Sequence, residues 1–365
     1  MHCTTEQVAG LKKESKYLKL FEAIKAEIAC GEYPGGTKIP GENELSEKYN
    51  MSRQTVRQSL SLLEQEGLVK RRQGSGTYVT KQMARKKKTW NVGVVATYIS
   101  EYIFPSILRG IQDELSQAGF STIVSATQNR VDSERRILTD CLTRPIDGLI
   151  IEATKSALPN PNIKLYEELK NKGIPVVFFN GYYPVMKNDC TYVIMNDKSG
   201  GYKAVSHLID RGHKKIGGIF KSDDIQGMDR YAGYLNCLSE NGLSMQDQWV
   251  IWFNSENRAH MMEDESGWII ESLKDCTAIV CYNDEIAVKL INAFSSKGYN
   301  IPEDKAIVSF DNSLFSEVSL VPITSMDHPK EVLGSVAARK LVSMIEGGCE
   351  NSLVMEWGFS ARDSG

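Results

Sequence analysis

Residues 52–76 read SRQTVRQSLSLLEQEGLVKRRQGSG, and two periodicities meet inside this stretch. Val56, Leu60 and Leu63 fall at i, i+4 and i+7, the spacing that sets three apolar side chains on one face of a helix. Arg53, Gln54, Arg57 and Gln58 occupy another stripe, and Ser52 is a residue type that caps a helix N-terminus. After Gly67 the helical spacing stops: LVKRR, the turn QGSG and TYV read as a two-stranded ribbon. A helix presenting basic and amide groups therefore runs directly into a basic hairpin.

Upstream, YLKLFEAIKAEIACGEY carries Leu18, Phe21, Ile24 and Ile28 close to helical spacing, with Gly31 as its stop. PGGTKIPGENELSEKYN then gives a turn-rich loop and a short second helix with Leu45 and Tyr49 on its inner face, broken at Asn50-Met51. Three helices and a ribbon make a winged helix-turn-helix over residues 1–80, in which the third helix fits the DNA major groove. Arg, Gln and Thr there would meet base edges or phosphates. The small residues Gly74, Ser75 and Gly76 at the ribbon tip allow close approach to a nucleic-acid backbone. Arg and Gln on one amphipathic helix are usually just a solvated face; the order of elements and the charge change that. Residues 1–88 hold 17 Lys and Arg against 10 Asp and Glu, leaving 26 against 36 for the rest of a chain with net charge -3. A basic module joined to an acidic one implies a polyanion partner for the first and a different ligand for the second.

The 365 residues suffice for two or three domains. No stretch approaches the roughly 18 uninterrupted apolar residues of a membrane span, and MHCTTEQVAGLKKESKY has no apolar signal core, so a cytoplasmic protein without membrane partners is expected. The eight cysteines lack C-x-x-C pairs and His companions at ligand spacing, and read as reduced and packed, with no metal site.

Residues 81–89, KQMARKKKT, form a basic linker whose charges can add sequence-independent attraction to phosphates. From Trp90 to residue 365, short apolar runs alternate with helical patterns: NVGVVATY, STIVSAT, DGLIIEAT, PVVFFN, KIGGIF, AIVCYN and AIVSFD. Uniformly apolar strands separated by helices imply parallel sheets covered on both faces, here two doubly wound lobes with a cleft between them. Ligands of such sheets bind beyond the strands' carboxyl ends. Tyr98, Phe104, Glu152, Lys155, Asn180, Lys221, Asp223, Asp224, Asn283, Asp284, Asp311 and Asn312 follow the runs. Carboxylates, amides and cations beside aromatic rings suit a small polyhydroxylated ligand, whose hydroxyls each need a donor and an acceptor. Taken singly, each Asp or Asn is a turn-former or helix cap; their recurrence after strand upon strand carries the reading. G-x-G-x-x-G after the first strand, G-x-x-x-x-G-K-[ST], H-E-x-x-H and G-x-S-x-G are all missing, so neither an enzyme nor a cofactor is expected. His207 and His213 read as structural.

The segment GEYPGGTKIPGENELSEKYNMSRQTVRQSLSLLEQEGLVKRRQGSGTYV resembles the GntR-type winged-helix domain along its whole length. The resemblance implies DNA contacts at Glu42 and Asn43, at Ser52, Arg53, Gln54, Thr55 and Arg57, and at Gln73, Gly74 and Ser75, with Lys16 as a candidate phosphate clamp. Gly41 stands where that family commonly has a capping Ser or Thr. Residues 90–362, through YKAVSHLIDRGHKKIGGIFKSDDIQGMDRYAGY, CYNDEIAVK, IVSFDNS and ITSMDHPKEVLGSVAARKL, resemble the ligand-binding body of LacI/GalR regulators, which has the periplasmic sugar-binding fold. This implies sugar contacts at Asn180, Arg230, Asn283 and Asp311, and places His328 and Lys330 at the third crossover between lobes, on the pocket floor. KQMARKKK shows no LacI-like hinge sequence, so that family's transmission to DNA does not carry over. A GntR-type head on a LacI-type body is typical of bacterial arabinose repressors, and ATYISEYIFPSILRGI, DGLIIEATKSALPNPNI, GIFKSDDIQGMDR and CYNDEIAVK resemble them locally. The implied protein is a homodimeric repressor of sugar-utilisation genes, released from a palindromic DNA operator by L-arabinose. The nearest alternative is the same architecture tuned to another pentose, a nucleoside or a sugar phosphate. An enzyme on the same lobes would leave the basic head unexplained, and a transport-type binding protein would need a signal peptide.

Overall fold

The apolar spacing of the first eighty residues becomes three helices and a ribbon in a computed structural model that describes residues 16–29, 31–72, 74–80, 88–261 and 266–365. Helices α1 (Lys16–Ala29), α2 (Glu42–Lys48) and α3 (Arg53–Gln65) are followed by strands β1 (Val69–Arg72) and β2 (Gly76–Val79). The strands pair antiparallel with Val69 opposite Val79 and Arg72 opposite Gly76. The inward stripe of α1 is Leu20, Phe21, Ile24 and Ile28, while Leu18 is exposed. This corrects the sequence reading: Leu20, Ile24 and Ile28 repeat every four residues, and Leu18 lies about 200° around the helix from Leu20. These side chains close a core with Leu45, Val56, Leu60, Leu63, Val69 and Val79. Ser52 caps α3 by accepting the Thr55 N–H at 3.2 Å. Gly41 supplies no side chain for α2, but its own N–H donates to Glu44 Oε2 at 2.6 Å, which fixes the start of that helix from the other side.

The second unit spans Thr89–Ile345 and Glu350–Gly365. Its first lobe contains β3 (Asn91–Ala96), β4 (Ser121–Ala126), β5 (Gly148–Glu152), β6 (Val176–Phe179) and β7 (Thr191–Met195), and its second β8 (Ile216–Lys221), β9 (Val250–Phe253), β10 (Ala278–Cys281), β11 (Ala306–Asp311) and β12 (Thr324–Asp327). β13 (Leu353–Met355) returns to the first sheet and β14 (Gly358–Ser360) to the second. The strand orders are β13-β7-β6-β5-β3-β4 and β14-β12-β11-β10-β8-β9. All neighbours pair parallel except β12 and β14. Two doubly wound lobes are thus present, with more strands than the apolar runs mark. β12, TSMD, escapes a hydrophobicity reading because its Ser325 is buried to donate to Asp284 Oδ1 at 2.8 Å.

The chain passes between the lobes at Asn196, at His328-Pro329 and at Glu356-Trp357. His328 therefore lies at the second crossing, not the third, because the helix Lys330–Ile345 packs back on Phe104–Gln117 of the first lobe before β13 begins. After the first crossing, the helix Asp197–Asp210 meets Ile225–Glu240 so closely that a Cβ on Gly201 would stand 2.1 Å from the Arg230 carbonyl oxygen. That contact seats Arg230 against Asp197. Cys141, Cys237, Cys276 and Cys281 are free and buried and Cys190 is free. Cys349 is disulfide-bonded, against the reading of all eight as reduced; linear spacing does not reveal which cysteines a fold brings together. Among the described residues no helix is long and apolar enough to cross a membrane.

Candidate functional site

The strand ends and crossovers of the second unit converge on one cleft, open to solvent, with about 620 Å³ of atom-free space in it and at its mouth. Of the residues singled out by sequence, Tyr98, Phe104, Glu152, Asn180, Lys221, Asp224, Arg230, Asn283 and Asp311 line it. From the first lobe, Glu152 accepts the Thr97 N–H at 2.8 Å and the Asn180 Nδ2 at 3.0 Å. Burial raises the Glu152 carboxyl above its ordinary range, and the Thr97 and Asn180 donors offset part of that rise. Asn180, with φ +59°, turns its amide into the cleft, and its Oδ1 is buried without a hydrogen-bond partner.

From the second lobe, Arg230 is fully buried, donates from Nε to Asp197 Oδ1 at 2.8 Å and from Nη1 to the Tyr282 carbonyl, and places Nη2 3.6 Å from Asp311 Oδ1. Its guanidinium is walled by the rings of Phe310 at 4.3 Å, Tyr282 at 4.8 Å and Trp357 at 5.0 Å. Charge balance and aromatic faces make a buried guanidinium tolerable. Asp311 Oδ1 is, like Asn180 Oδ1, a buried acceptor with no hydrogen bond. Lys221 holds Asp224 at 3.0 Å and Asp223 at 3.5 Å; burial works against its charge, but the two carboxylates outweigh it and raise its pKa. Asp224 also accepts from Tyr282 Oη at 2.7 Å. Asn283 caps Asp284–Ser296 through the Ile286 N–H at 3.1 Å. Burial pushes the Asp284 carboxyl up to about 6.

Three expected ligand residues lie elsewhere. Lys155 does not line the cleft; its ammonium is paired with Glu256. Asp223 points at the Ser255 N–H, 3.0 Å away, and at Lys221. His328 is buried edge-on to Trp357 with neither ring nitrogen hydrogen-bonded, and it is absent from the cleft wall. Sequence reading missed Thr97, Tyr102, Asn129, Gln226, Arg258 and Tyr282 in the wall. Thr97, Tyr102, Gln226 and Tyr282 sit inside stretches that carry the resemblance; Arg258, in NSENR after β9, carried no signal.

Burial and the neighbouring Lys330 and Arg230 charges lower the His328 pKa to about 3, from an ordinary 6.5. Between those values an unfolded chain takes up a proton that the folded one refuses, so this residue's stabilisation is present above pH 6.5 and is lost as pH falls toward 3. His328→Leu should therefore lose less stability than the unaltered chain between pH 6.5 and 4.5, measured as the shift of the urea midpoint at each pH.

On the head, Asn43, Arg53, Gln54, Arg57, Gly74 and Ser75 are exposed, as is Lys16 at the start of α1. Arg57 Nε donates to Glu42 Oε2 at 2.7 Å, which ties the α3 cation to the α2 N-terminus. Ser52 and Thr55 spend their hydroxyls on each other at 2.8 Å within the cap. At the ribbon, Arg72 stacks over Tyr78 at 4.5 Å and Ser75 Oγ lies 2.8 Å from Tyr78 Oη. Arg72 was not singled out, although it ends the KRR run. Gln73 lies outside the described residues.

A helix-turn-helix with a basic wing, joined to a two-lobed body whose cleft is lined by carboxylates, amides and a guanidinium, defines a ligand-responsive DNA-binding regulator. Residues 16–79 match the family "Bacterial regulatory proteins, gntR family", and residues 205–364 the "Periplasmic binding protein-like domain". The chain is 39% identical to the arabinose metabolism transcriptional repressor of Halalkalibacterium halodurans, over 91% of this chain and 90% of that one. It is 37% identical to the protein of the same name from Geobacillus stearothermophilus, over 91% of each. Among solved structures it resembles the transcription regulator CcpA of Lactococcus lactis, with a TM-score of 0.66 and 27% identity over 75% of this chain and 98% of that one. A transcriptional regulator CelR-cellobiose complex shares the fold, with a TM-score of 0.68 and 23% identity over 86% of this chain and 92% of that one. The chain belongs to the family of arabinose metabolism transcriptional repressors. It is a sugar-responsive, DNA-binding transcriptional repressor and not an enzyme.

Proposed function

We propose that the effector is L-arabinose, bound in the cleft between Glu152 and Asn180 of the first lobe and Arg230, Asn283 and Asp311 of the second. The observation that carries this reading is the pair of buried side-chain oxygens that accept no hydrogen bond, Asn180 Oδ1 and Asp311 Oδ1, one from each lobe and both on residues of the cleft wall, the second facing Arg230 Nη2 at 3.6 Å. Buried acceptors are rarely left unsatisfied, and a ligand with hydroxyl donors on several faces satisfies both while accepting from Arg230. Tyr98 and Phe104, whose ring centroids lie 5.7 Å apart in the cleft wall, offer aromatic surface for its C–H groups. The choice of this sugar is supported by the name of two relatives of 37–39% identity, arabinose metabolism transcriptional repressor. Two chains form a homodimer, so that two heads meet the halves of a palindromic operator through Lys16, Glu42, Asn43, Ser52 to Thr55, Arg57 and the wing at Gln73 to Ser75. The sugar favours a closed body, and it shifts the protein off DNA only by as much as it binds that state more tightly.

Calorimetric titration of the full chain with L-arabinose, D-xylose, D-ribose, D-glucose and a pentose phosphate tests the effector. Saturable heat with L-arabinose, and at least about tenfold weaker binding of the others, is expected for a site that matches hydroxyls individually. Tighter binding of any other compound in that panel would overturn the assignment.

A further inference from the structure

Five consecutive residues of the second lobe, Asn254 to Arg258 following β9, hold contacts to three separate loops of the first lobe. Ser255 Oγ accepts from Asn129 Nδ2 at 2.6 Å, in the loop after β4. Glu256 pairs with Lys155, in the loop after β5. Arg258 lies over the Tyr98 ring at 4.9 Å and 3.5 Å from Glu101, both after β3. The segment is stiff where it presents these groups. Asn254 Oδ1 accepts the N–H groups of Glu256 and Asn257 at 3.0 Å each, and Asp223 Oδ2 holds the Ser255 N–H at 3.0 Å. Arg258 is also 3.3 Å from Glu285 of its own lobe. On the opposite side, Asn129 and Lys155 both have positive φ, +53° and +45°, and the Lys155 N–H donates to Asn129 Oδ1 at 2.8 Å. Left-handed backbone is unfavourable for lysine and persists where surrounding contacts hold it. Here the two residues are tied to each other within the first lobe, and their side chains reach Ser255 and Glu256 of the five-residue segment.

We infer that Asn254–Arg258 is a latch that clasps the two lobes across the cleft and holds the sugar-retaining state. One exposed ion pair contributes little by itself. Three contacts on one braced turn act together, because closure makes or breaks them as a set. Asn129, Tyr98 and Arg258 also line the cleft, so the latch seals the cavity that it closes. Its role in sugar retention rests on the reading of that cleft as the effector site, whereas its role in lobe closure does not. Asp223, which lies outside the cleft wall, acquires a function in this account: it braces the latch through Ser255.

Two amides report closure independently of any ligand. Ile225 N–H donates to Ser156 Oγ at 2.9 Å and Asp284 N–H to Tyr102 Oη at 3.1 Å, both across the cleft, and both open a helix where no intrahelical acceptor exists. Hydrogen exchange of peptides containing them is to be compared in the full chain, Lys155→Glu, Glu256→Lys and the double exchange of the two charges. Each single reversal puts like charges face to face, and about fivefold faster exchange is expected, with near-native protection in the double variant. Stopped-flow release of L-arabinose, followed by tryptophan fluorescence, should accelerate in the single variants by about the same factor and recover in the double. Exchange unchanged in the single variants, or no recovery in the double, overturns the latch. A full chain that binds no L-arabinose overturns the effector reading instead, and the exchange data still decide the latch.

Discussion

Replacing Arg230 by alanine is expected to abolish sugar binding, raising the dissociation constant at least about 100-fold, while the head still binds its operator. The guanidinium is the donor at the centre of the cleft, and its removal leaves Asp197 and Asp311 buried without their cation. Breaking a buried pair in this way costs about 3–5 kcal/mol of stability, so the body of the alanine variant should also melt earlier. Arg230→Lys separates the two effects. It keeps the charge between the carboxylates but loses the planar fork that reaches Asp197, the Tyr282 carbonyl and the cleft together. A folded lysine variant that binds sugar at least about tenfold more weakly, and stays on operator DNA when sugar is added, is the expected result. Calorimetry and operator binding on the same preparations check it. Native-like sugar affinity in the lysine variant would remove Arg230 from the binding role.

The second large effect is expected at the head. Arg57→Ala should weaken operator binding by about 10- to 100-fold, the range for one specific contact, and leave sugar binding unchanged. Arg57 is exposed on α3 with its Nε on Glu42 Oε2, which leaves its terminal guanidinium nitrogens to meet DNA. Titrations at several salt concentrations distinguish its role. A phosphate contact lowers the slope of log affinity against log salt by about one, whereas a base contact leaves the slope and relaxes sequence preference. Because the head closes its own apolar core, from Leu20 to Val79, truncating an exposed side chain there should not disturb the body. Equal loss of DNA and sugar binding would contradict the division of labour between head and body.

The head was legible in the sequence because its signals are local. Val56, Leu60 and Leu63 at helical spacing, the Ser52 cap and the glycine turn of the ribbon each act within a few residues. Leu18 misled because Leu18, Phe21 and Ile24 fall at three-residue spacing, while the stripe that is buried repeats every four residues through Leu20, Ile24 and Ile28. The body's architecture was legible from its uniformly apolar strands, yet β7, β9, β12, β13 and β14 were not separately marked. β12 reads as polar because its serine serves a buried carboxylate, and β13 and β14 lie at sheet edges and are partly exposed. Glu152 and Asp311, the last residues of β5 and β11, and Asn180, directly after β6, line the cleft at the carboxyl ends of their strands. Lys155, three residues beyond β5, does not, because its left-handed backbone turns the side chain toward Glu256. Arg258 was invisible because it reaches the cleft by folding back over Tyr98, a tertiary contact with no sequence period.

The central claim, that a sugar in the cleft of the body releases the head from DNA, is tested most directly by fluorescence anisotropy. The full chain is bound to a duplex selected from a random pool by the same protein, and L-arabinose is titrated in. Release that saturates with L-arabinose, is absent with D-glucose and is lost in Arg230→Lys is the predicted result. DNA that stays bound at saturating L-arabinose, or that D-glucose releases equally well, would contradict the account.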